Sequence, residues 1–300
     1  MLLSIIICSR NRAKELEQCL PLVAEQAALF PDTEVLVIDN GSADNTAEVV
    51  KTVSEKSDYT IRYVLEPVPG LCQARNRGRQ EARGEVLTYI DDDVRLDENW
   101  ILKIRQHYLQ HPETFCLGGR VTVKLDEHIP FPIGENMRWF FGATRFGNEY
   151  RELNYPEHPI GCNMSFRAIV FDQVGGFNTN LKLYGDETEF FSRVTKQGYK
   201  LIYDPEITVY QFIPASRLTK EELRHKSYIW GRGSATGWMI ANQSPLKRLA
   251  RITQYLLRTG YMFVRLPFKT DFGSFYTYWY YRGYLSKLVA GLDKNKTDNK

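Results

Sequence analysis

The 300-residue chain lacks the features that mark several large classes of protein. It has no uninterrupted run of roughly 18 apolar residues, so no membrane span is expected. Its start, MLLSIIICSRNR, has an apolar run too short for a secretory leader, with no basic region before it and no small-residue cleavage site after it. The five cysteines, Cys8, Cys19, Cys72, Cys116 and Cys162, are odd in number, widely spaced and without a CxxC pair. That argues against a disulfide framework or a zinc site and for a reducing, cytoplasmic setting. Glycine is missing from Ser9-Arg10-Asn11-Arg12, where a dinucleotide-binding fold would carry GxGxxG, so an oxidoreductase reading loses most of its support. A glycine- and lysine-rich phosphate loop, which a nucleotidyltransferase would show near the first strand, is missing too.

What is present reads as globular. With 43% hydrophobic and 25% charged residues the chain can bury a large core, one domain plus an appendage. The net charge of +3 conceals an uneven distribution: residues 211–300 hold 16 lysines and arginines against 5 acids, and residues 1–210 hold 23 against 31. The two parts therefore meet different partners.

Apolar, β-rich runs at 2–8, 34–39, 60–65 and 86–90 read as buried strands, and amphipathic helices are expected at 14–28, 45–57 and 71–82 between them. Asn45 with Glu48 suggests a capping box for the second helix. Strands alternating with helices imply right-handed crossovers and a mainly parallel sheet, whose ligands lie beyond the carboxyl ends of the strands. Those ends are Ser9, Asp39, Glu66 and the Asp91–Asp93 run. An acidic rim suits a cation and sugar or ribose hydroxyls better than a bare phosphate. Farther on, a helix is expected at 100–111, a proline- and aromatic-rich insert at 126–160, a short strand at 162–166 and helices at 168–174 and 186–197. Short strands at 200–203 and 208–211 precede a mostly helical remainder.

Three adjacent anions after an apolar strand repel one another and call for a cation or strong donors. In an extended segment Asp91 and Asp93 share a face and Asp92 points the other way, which would make Asp92 the most dispensable of the three. A divalent Mg²⁺ or Mn²⁺ completed by phosphate oxygens and water meets the need. A solvated acidic turn capping the next helix is the other reading.

The order and spacing of SIIICSRNRAKEL, EVLVIDNGSADNT and GLCQARNRGRQEARGEVLTYIDDDV resemble family 2 glycosyltransferases of GT-A fold. GCNMSFRAIVFDQVGGFN and YGDETEFFSRVTKQGYKLIYDPEITVYQ resemble that family's acceptor-side motifs, so the likeness covers about residues 2–211. The resemblance implies an α/β GT-A domain over residues 1–215 and a helical extension over 216–300. It also implies a Mn²⁺ or Mg²⁺ site, a nucleoside diphosphate-sugar donor with UDP-sugars first, and inversion at the anomeric carbon. Carried over by position, Ser9, Arg10 and Asn11 would line the base pocket, Asp39 would contact the base, and Arg75 would lie beside the nucleotide. Asp91 would face the ribose or a metal-bound water, Asp92 would count among the nucleotide-sugar-binding residues, and Asp93, with Asp91, would ligate the metal. Asn163, Met164 and Trp139 would fall on the acceptor side. Two plainer readings stand beside these: Asp39 as the cap of the turn Asp39-Asn40-Gly41-Ser42, and Arg75 as an exposed helix cation.

Sugar transfer also needs a general base for the acceptor hydroxyl. The family carries it in a Glu-Asp pair that starts a helix, where this chain has Asp186-Glu187. Asp186 with Glu189 fits a capping box, which leaves Glu187 as the base and Asp186 as the alternative. Gln211 falls where related sequences read histidine, with weak metal coordination or a plain strand end as its two readings. The tail mixes cations with Tyr, Phe and Trp, as helices lying on an anionic membrane do; packing onto the catalytic domain is the alternative. No nucleic-acid motif accompanies it. The whole is expected to be an inverting glycosyltransferase of cell-surface polysaccharide or glycolipid synthesis, acting on a saccharide or lipid-linked acceptor at the cytoplasmic face of a membrane. A catalytically silent nucleotide- or sugar-binding protein and a metal-dependent nucleotidyltransferase are the alternatives.

Overall fold

The structure is a computed structural model that describes residues 1–57, 59–125, 135–181, 185–242, 244–265 and 272–291. It divides into two compact units: Met1–Leu125 with Arg138–Thr179 and Phe190–Ile213, and Asp126–Met137 with Asn180–Glu189 and Pro214–Lys300.

The first unit is built on one sheet. Its opening strands are β1 (Leu3–Ser9), β2 (Thr33–Asp39), β3 (Ile61–Leu65) and β4 (Val86–Asp91), and all their pairings, in the order β3-β2-β1-β4, are parallel. Branched aliphatic side chains on both faces make these strands fit the sandwich between helices. Ile5, Ile7, Val35 and Val37 are wholly buried. Helices α1 (Ala13–Ala28), α2 (Thr46–Lys56) and α3 (Leu71–Glu81) make the crossovers. Gly78 of α3 allows the closest approach to the sheet, since a Cβ there would lie 2.4 Å from Ile6.

Beyond β4 the sheet becomes mixed. It continues β4-β8-β6-β9-β5, where β5 is Val94–Leu96, β6 Cys116–Leu125, β8 Met164–Arg167 and β9 Leu201–Ile213; β7 (Arg151–Leu153) pairs with β9. Of these pairings only β6–β9 is parallel. The two short strands expected at 200–203 and 208–211 are one strand with an irregularity at residues 205–207, where Pro205 cannot donate to the ladder. Helices α4 (Trp100–Gln110), α5 (Ile169–Val174) and α6 (Asp186–Lys196) complete the set, α6 giving its first four residues to the second unit. The insert expected at 126–160 holds a 3₁₀ turn, Glu135–Phe141, and β7; its residues 126–134 lie outside the described residues.

The second unit holds α7 (Lys220–Ala241), α8 (Pro245–Arg265) and α9 (Phe272–Ala290). Thr219 caps α7, its side chain accepting from the Glu222 amide. Helices α7 and α9 meet through glycines: a Cβ on Gly231 would lie 2.1 Å from the Tyr280 carbonyl, and one on Gly283 would lie 1.9 Å from that of Tyr228. Tyr255 of α8 stacks on Tyr284 of α9 at 3.9 Å between ring centroids, over a small core with Ala235, Ile252 and Leu288. Among the described residues no helix is long and apolar enough to cross a membrane.

Candidate active site

Parallel register brings the acidic strand ends side by side. Ser9 pairs with Asp39, Cys8 with Asp91 and Asp39 with Leu65, so β1 to β4 finish on one line. Three loops leaving that line are tied together by polar side chains. Asn11, at φ 54°, takes the left-handed conformation that asparagine tolerates. Its amide donates to Ser42 Oγ at 2.9 Å, and its Oδ1 accepts from the Ala43 amide at 2.7 Å. The capping box expected from Asn45 is replaced by Asp44, which accepts from the Thr46 amide and hydroxyl and, with its other oxygen, from the Ala13 amide. One carboxylate thus closes the start of both α1 and α2, and an asparagine one position later lacks that reach. Buried Asn40 holds the third loop, donating to the Glu66 and Val68 carbonyls and accepting from the Gly70 amide.

Asp39 realises the turn-capping geometry. One oxygen accepts from the Ser42 amide at 2.8 Å and the other from Tyr63 Oη at 2.7 Å. Arg75 is not the exposed helix cation that plain amphipathicity allows: it is buried and lies over the Phe177 ring at 5.3 Å. The next residue, Asn76, clasps the Phe177 backbone at both its N–H and its C=O, 2.8 Å each. Arg10 is exposed.

In the carboxylate run the expected division changes. The chain leaves the extended conformation after Asp91, so strand alternation stops there, and Asp92 and Asp93 are the pair that converges. Arg12 joins them, 3.1 Å from Asp92 Oδ1 and 2.6 Å from Asp93 Oδ2. Ser9 Oγ donates to Asp92 Oδ2 at 2.6 Å. Asp92 is only 2% exposed, far from the dispensable, outward residue that alternation implied. Burial pushes its carboxyl up to about 7, with Arg12 and Ser9 pulling down and Asp93 and Asp91 adding to the rise. Asp91, half-buried, ends β4.

Pairing of Val94 with Gln211 sets Gln211 beside Asp93, its Nε2 3.5 Å from Asp93 Oδ1. Gln211 Oε1 is buried and accepts no hydrogen bond from the described residues. Among the described residues no group of three or more His, Cys, Asp or Glu side chains is placed to hold a metal. The orphaned oxygen of the amide whose Nε2 meets Asp93 would, with that carboxylate, suit a hard divalent cation that takes one or two protein oxygens and fills its shell with phosphate and water. Asp93 and Gln211 are thus the oxygen donors that this corner of the rim could offer Mg²⁺ or Mn²⁺.

The acceptor-side residues separate. Trp139 is 37% exposed, with the Arg145 guanidinium 5.3 Å from its ring. Asn163 is buried, and both its amide protons are spent on the Arg120 and Ile207 carbonyls while its oxygen accepts from Trp100 Nε1. It staples β6 and β9 and has no N–H left to offer a ligand. Met164 is wholly buried in β8 and presents no surface.

In the second unit Asp186, the residue expected to open a capping box, is the first residue of α6, and the Gly185 carbonyl before it accepts from the Glu189 amide. Gly185 has φ +93°, and a Cβ there would lie 2.9 Å from the Gly233 carbonyl, so the start of α6 rests directly on the backbone of α7. Asp186 is buried and Glu187 half-buried. Both carboxylates, with Glu189, lie in the first turn of α6, where the helix dipole favours negative charge.

Sequence reasoning missed Arg12, Asn40 and Asn76. Each stood in a quoted motif, SRNR, DNGS and ARN; the signal was a polar residue with no stated task next to one that had a task.

Taken together, a parallel run ending in a polar rim and a sheet completed by antiparallel strands define a GT-A-like fold. A mannosyltransferase of Pyrobaculum calidifontis, solved with GDP-Man and Mn²⁺, has the same fold at a TM-score of 0.59, with 16% identity over 97% of this chain and 73% of that one. The profile of glycosyl transferase family 2 matches residues 4–175, and the chain belongs to that family. Relatives include the Haloferax volcanii glycosyltransferase AglE, 25% identical over 257 residues that make up 85% of this chain and 79% of that protein. A glucosyl-dolichyl phosphate glucuronosyltransferase of the same organism is 24% identical over 220 residues, 70% and 68% of the two chains.

Proposed function

We propose that this glycosyltransferase moves a sugar, with inversion, from a nucleoside diphosphate donor bound at the ends of β1 to β4 to an acceptor hydroxyl. The observation that carries the reading is the Ser9–Asp92–Arg12–Asp93 network, which fixes the polar groups of the rim before any ligand arrives. Ser9, Arg10, Asn11 and Asp39 would border the nucleoside, with Arg75 behind them and Asp91 toward the ribose. Asp93 and Gln211 would hold Mn²⁺ or Mg²⁺, which when bound supplies positive charge to the departing diphosphate.

The rest of the work falls to the protein's own groups. Arg12 keeps Asp92 and Asp93 from repelling each other and holds them in one orientation. Glu187 takes the proton of the attacking hydroxyl as general base, and Asp186 helps hold the first turn of α6. Trp139, more than a third exposed, would border the acceptor. The dolichyl phosphate in the name of one relative supports a lipid-linked acceptor, with a free saccharide as the other. Such an acceptor would fit a reaction at the cytoplasmic face of a membrane, in glycolipid or cell-surface polysaccharide synthesis.

Release of nucleoside diphosphate from UDP-, GDP- and dTDP-sugars, with Mn²⁺ or with EDTA, tests the reading. Metal-dependent release from one donor class is expected, UDP first. No release from any donor, with or without metal, would return the chain to a silent binding protein.

A further inference from the structure

Helix α8 turns an apolar face outward. Its inner side is accounted for by Ile252 and Tyr255, packed with Tyr284 and Leu288 of α9. On the other side Leu246, Leu249, Leu256, Leu257 and Val264 are between 53% and 80% exposed. Their spacing, i, i+3, i+10, i+11 and i+18, keeps them on one stripe of a 3.6-residue helix. Scattered exposed apolar residues need no explanation, but four leucines and a valine on one stripe form a contiguous patch of the kind that marks an interaction surface.

Cations border that stripe. Lys247, Arg251, Arg258 and Arg265, at i, i+4, i+11 and i+18, run along one edge, and α8 contains no Asp or Glu at all. Arg251 is steered by the Tyr284 hydroxyl at 3.4 Å and the Trp238 ring at 5.4 Å, and Arg258 lies over the Tyr255 and Tyr281 rings.

We propose that this face of α8 docks on an anionic lipid surface, the helix lying in the interface with its leucines in the acyl boundary and its cations against headgroup phosphates. Charge decides between occupants. A second copy joined through the same face would set one row of cations against another with no acid between them. Nucleic acid would satisfy the cations and leave the leucines in water. An anionic bilayer satisfies both.

The inference goes beyond the proposed transfer reaction and can fail on its own. The full chain is floated with vesicles of phosphatidylcholine alone and of phosphatidylcholine with roughly a third phosphatidylglycerol. Strong flotation with the anionic vesicles is expected, at least tenfold weaker with the neutral ones. The variant Leu249→Gln, Leu256→Gln, Leu257→Gln should lose at least tenfold in anionic-vesicle binding, and Lys247→Gln, Arg258→Gln, Arg265→Gln should reduce it to the neutral-vesicle level. Because Leu257 is 71% exposed, Leu257→Gln alone keeps the test valid if the triple variant does not fold. Absence of flotation on anionic vesicles, or flotation that the leucine changes leave intact, overturns the proposal. So does a dimer in sedimentation velocity that the leucine variant dissolves while vesicles are ignored. Nucleoside diphosphate release, measured on the same samples without vesicles, shows whether a failure belongs to the surface or to the transfer reaction.

Discussion

The rim of the parallel sheet is shaped by bonds between polar side chains, and the start of α6 by a close approach of two backbones. At the rim each acid is fixed by named polar partners: Asp92 by Ser9 and Arg12, Asp39 by Ser42 and Tyr63, Asp44 by Ala13 and Thr46. At α6 the backbone that carries Asp186 and Glu187 comes close to α7, Gly185 letting the turn lie against the Gly233 carbonyl. A polar network sets positions and charge states together, and it makes its members costly to remove. A glycine contact sets the path of the backbone, and so the position from which the carboxylates of the first turn start.

The largest expected effect is therefore on turnover at α6. Glu187→Gln should lower turnover by a factor on the order of 10²–10⁴, as loss of a general base does, in a protein that still folds by circular dichroism. Asp186→Asn should cost markedly less, and the reverse order of the two variants would transfer the base to Asp186. At the rim the effect should fall on stability instead. Arg12→Gln leaves Asp92 buried without its cation and should lower unfolding free energy by about 3 kcal/mol, read by denaturant titration. Adding Asp92→Asn to it should recover part of the loss; no recovery would mean that Arg12 acts apart from Asp92.

Asn163 belongs to the same polar class. Its replacement by Ala strands two carbonyls and an indole N–H and should cost on the order of 3 kcal/mol. A smaller effect is expected for Gly185→Ala, about 1–3 kcal/mol from the positive φ and the nearby carbonyl, with a loss of turnover larger than the stability change explains. A Gly185→Ala protein of full activity would break the contrast between the two regions.

The same contrast explains what could be read from sequence. Strands β1 to β4 and helices α1 to α4 follow from apolar runs and helical periodicity, because each is buried by its own residues. Strand β6 did not, since Gly118 and Gly119 interrupt its pattern; they are there because Pro159 and Asn163 pack where their side chains would be. β5 and β7, three residues each, carry too little pattern to register. The acidic rim was legible as residue types at strand ends. The partners were not: alternation placed Asp91 with Asp93, whereas a turn after Asp91 and an arginine 80 positions earlier put Asp92 with Asp93. Likewise Asn163 and Met164 stood in an acceptor-side motif, and only burial shows them to be structural.

The central claim, that the rim binds a nucleoside diphosphate through a cation held at Asp93, has a direct test in calorimetric titration of UDP and GDP with and without Mn²⁺, on the wild-type chain and on Asp93→Asn. Mn²⁺ should tighten binding of one nucleotide at least tenfold in the wild type and leave the variant unchanged. Equal binding with and without Mn²⁺ in the wild type, or an undiminished Mn²⁺ effect in Asp93→Asn, would contradict it.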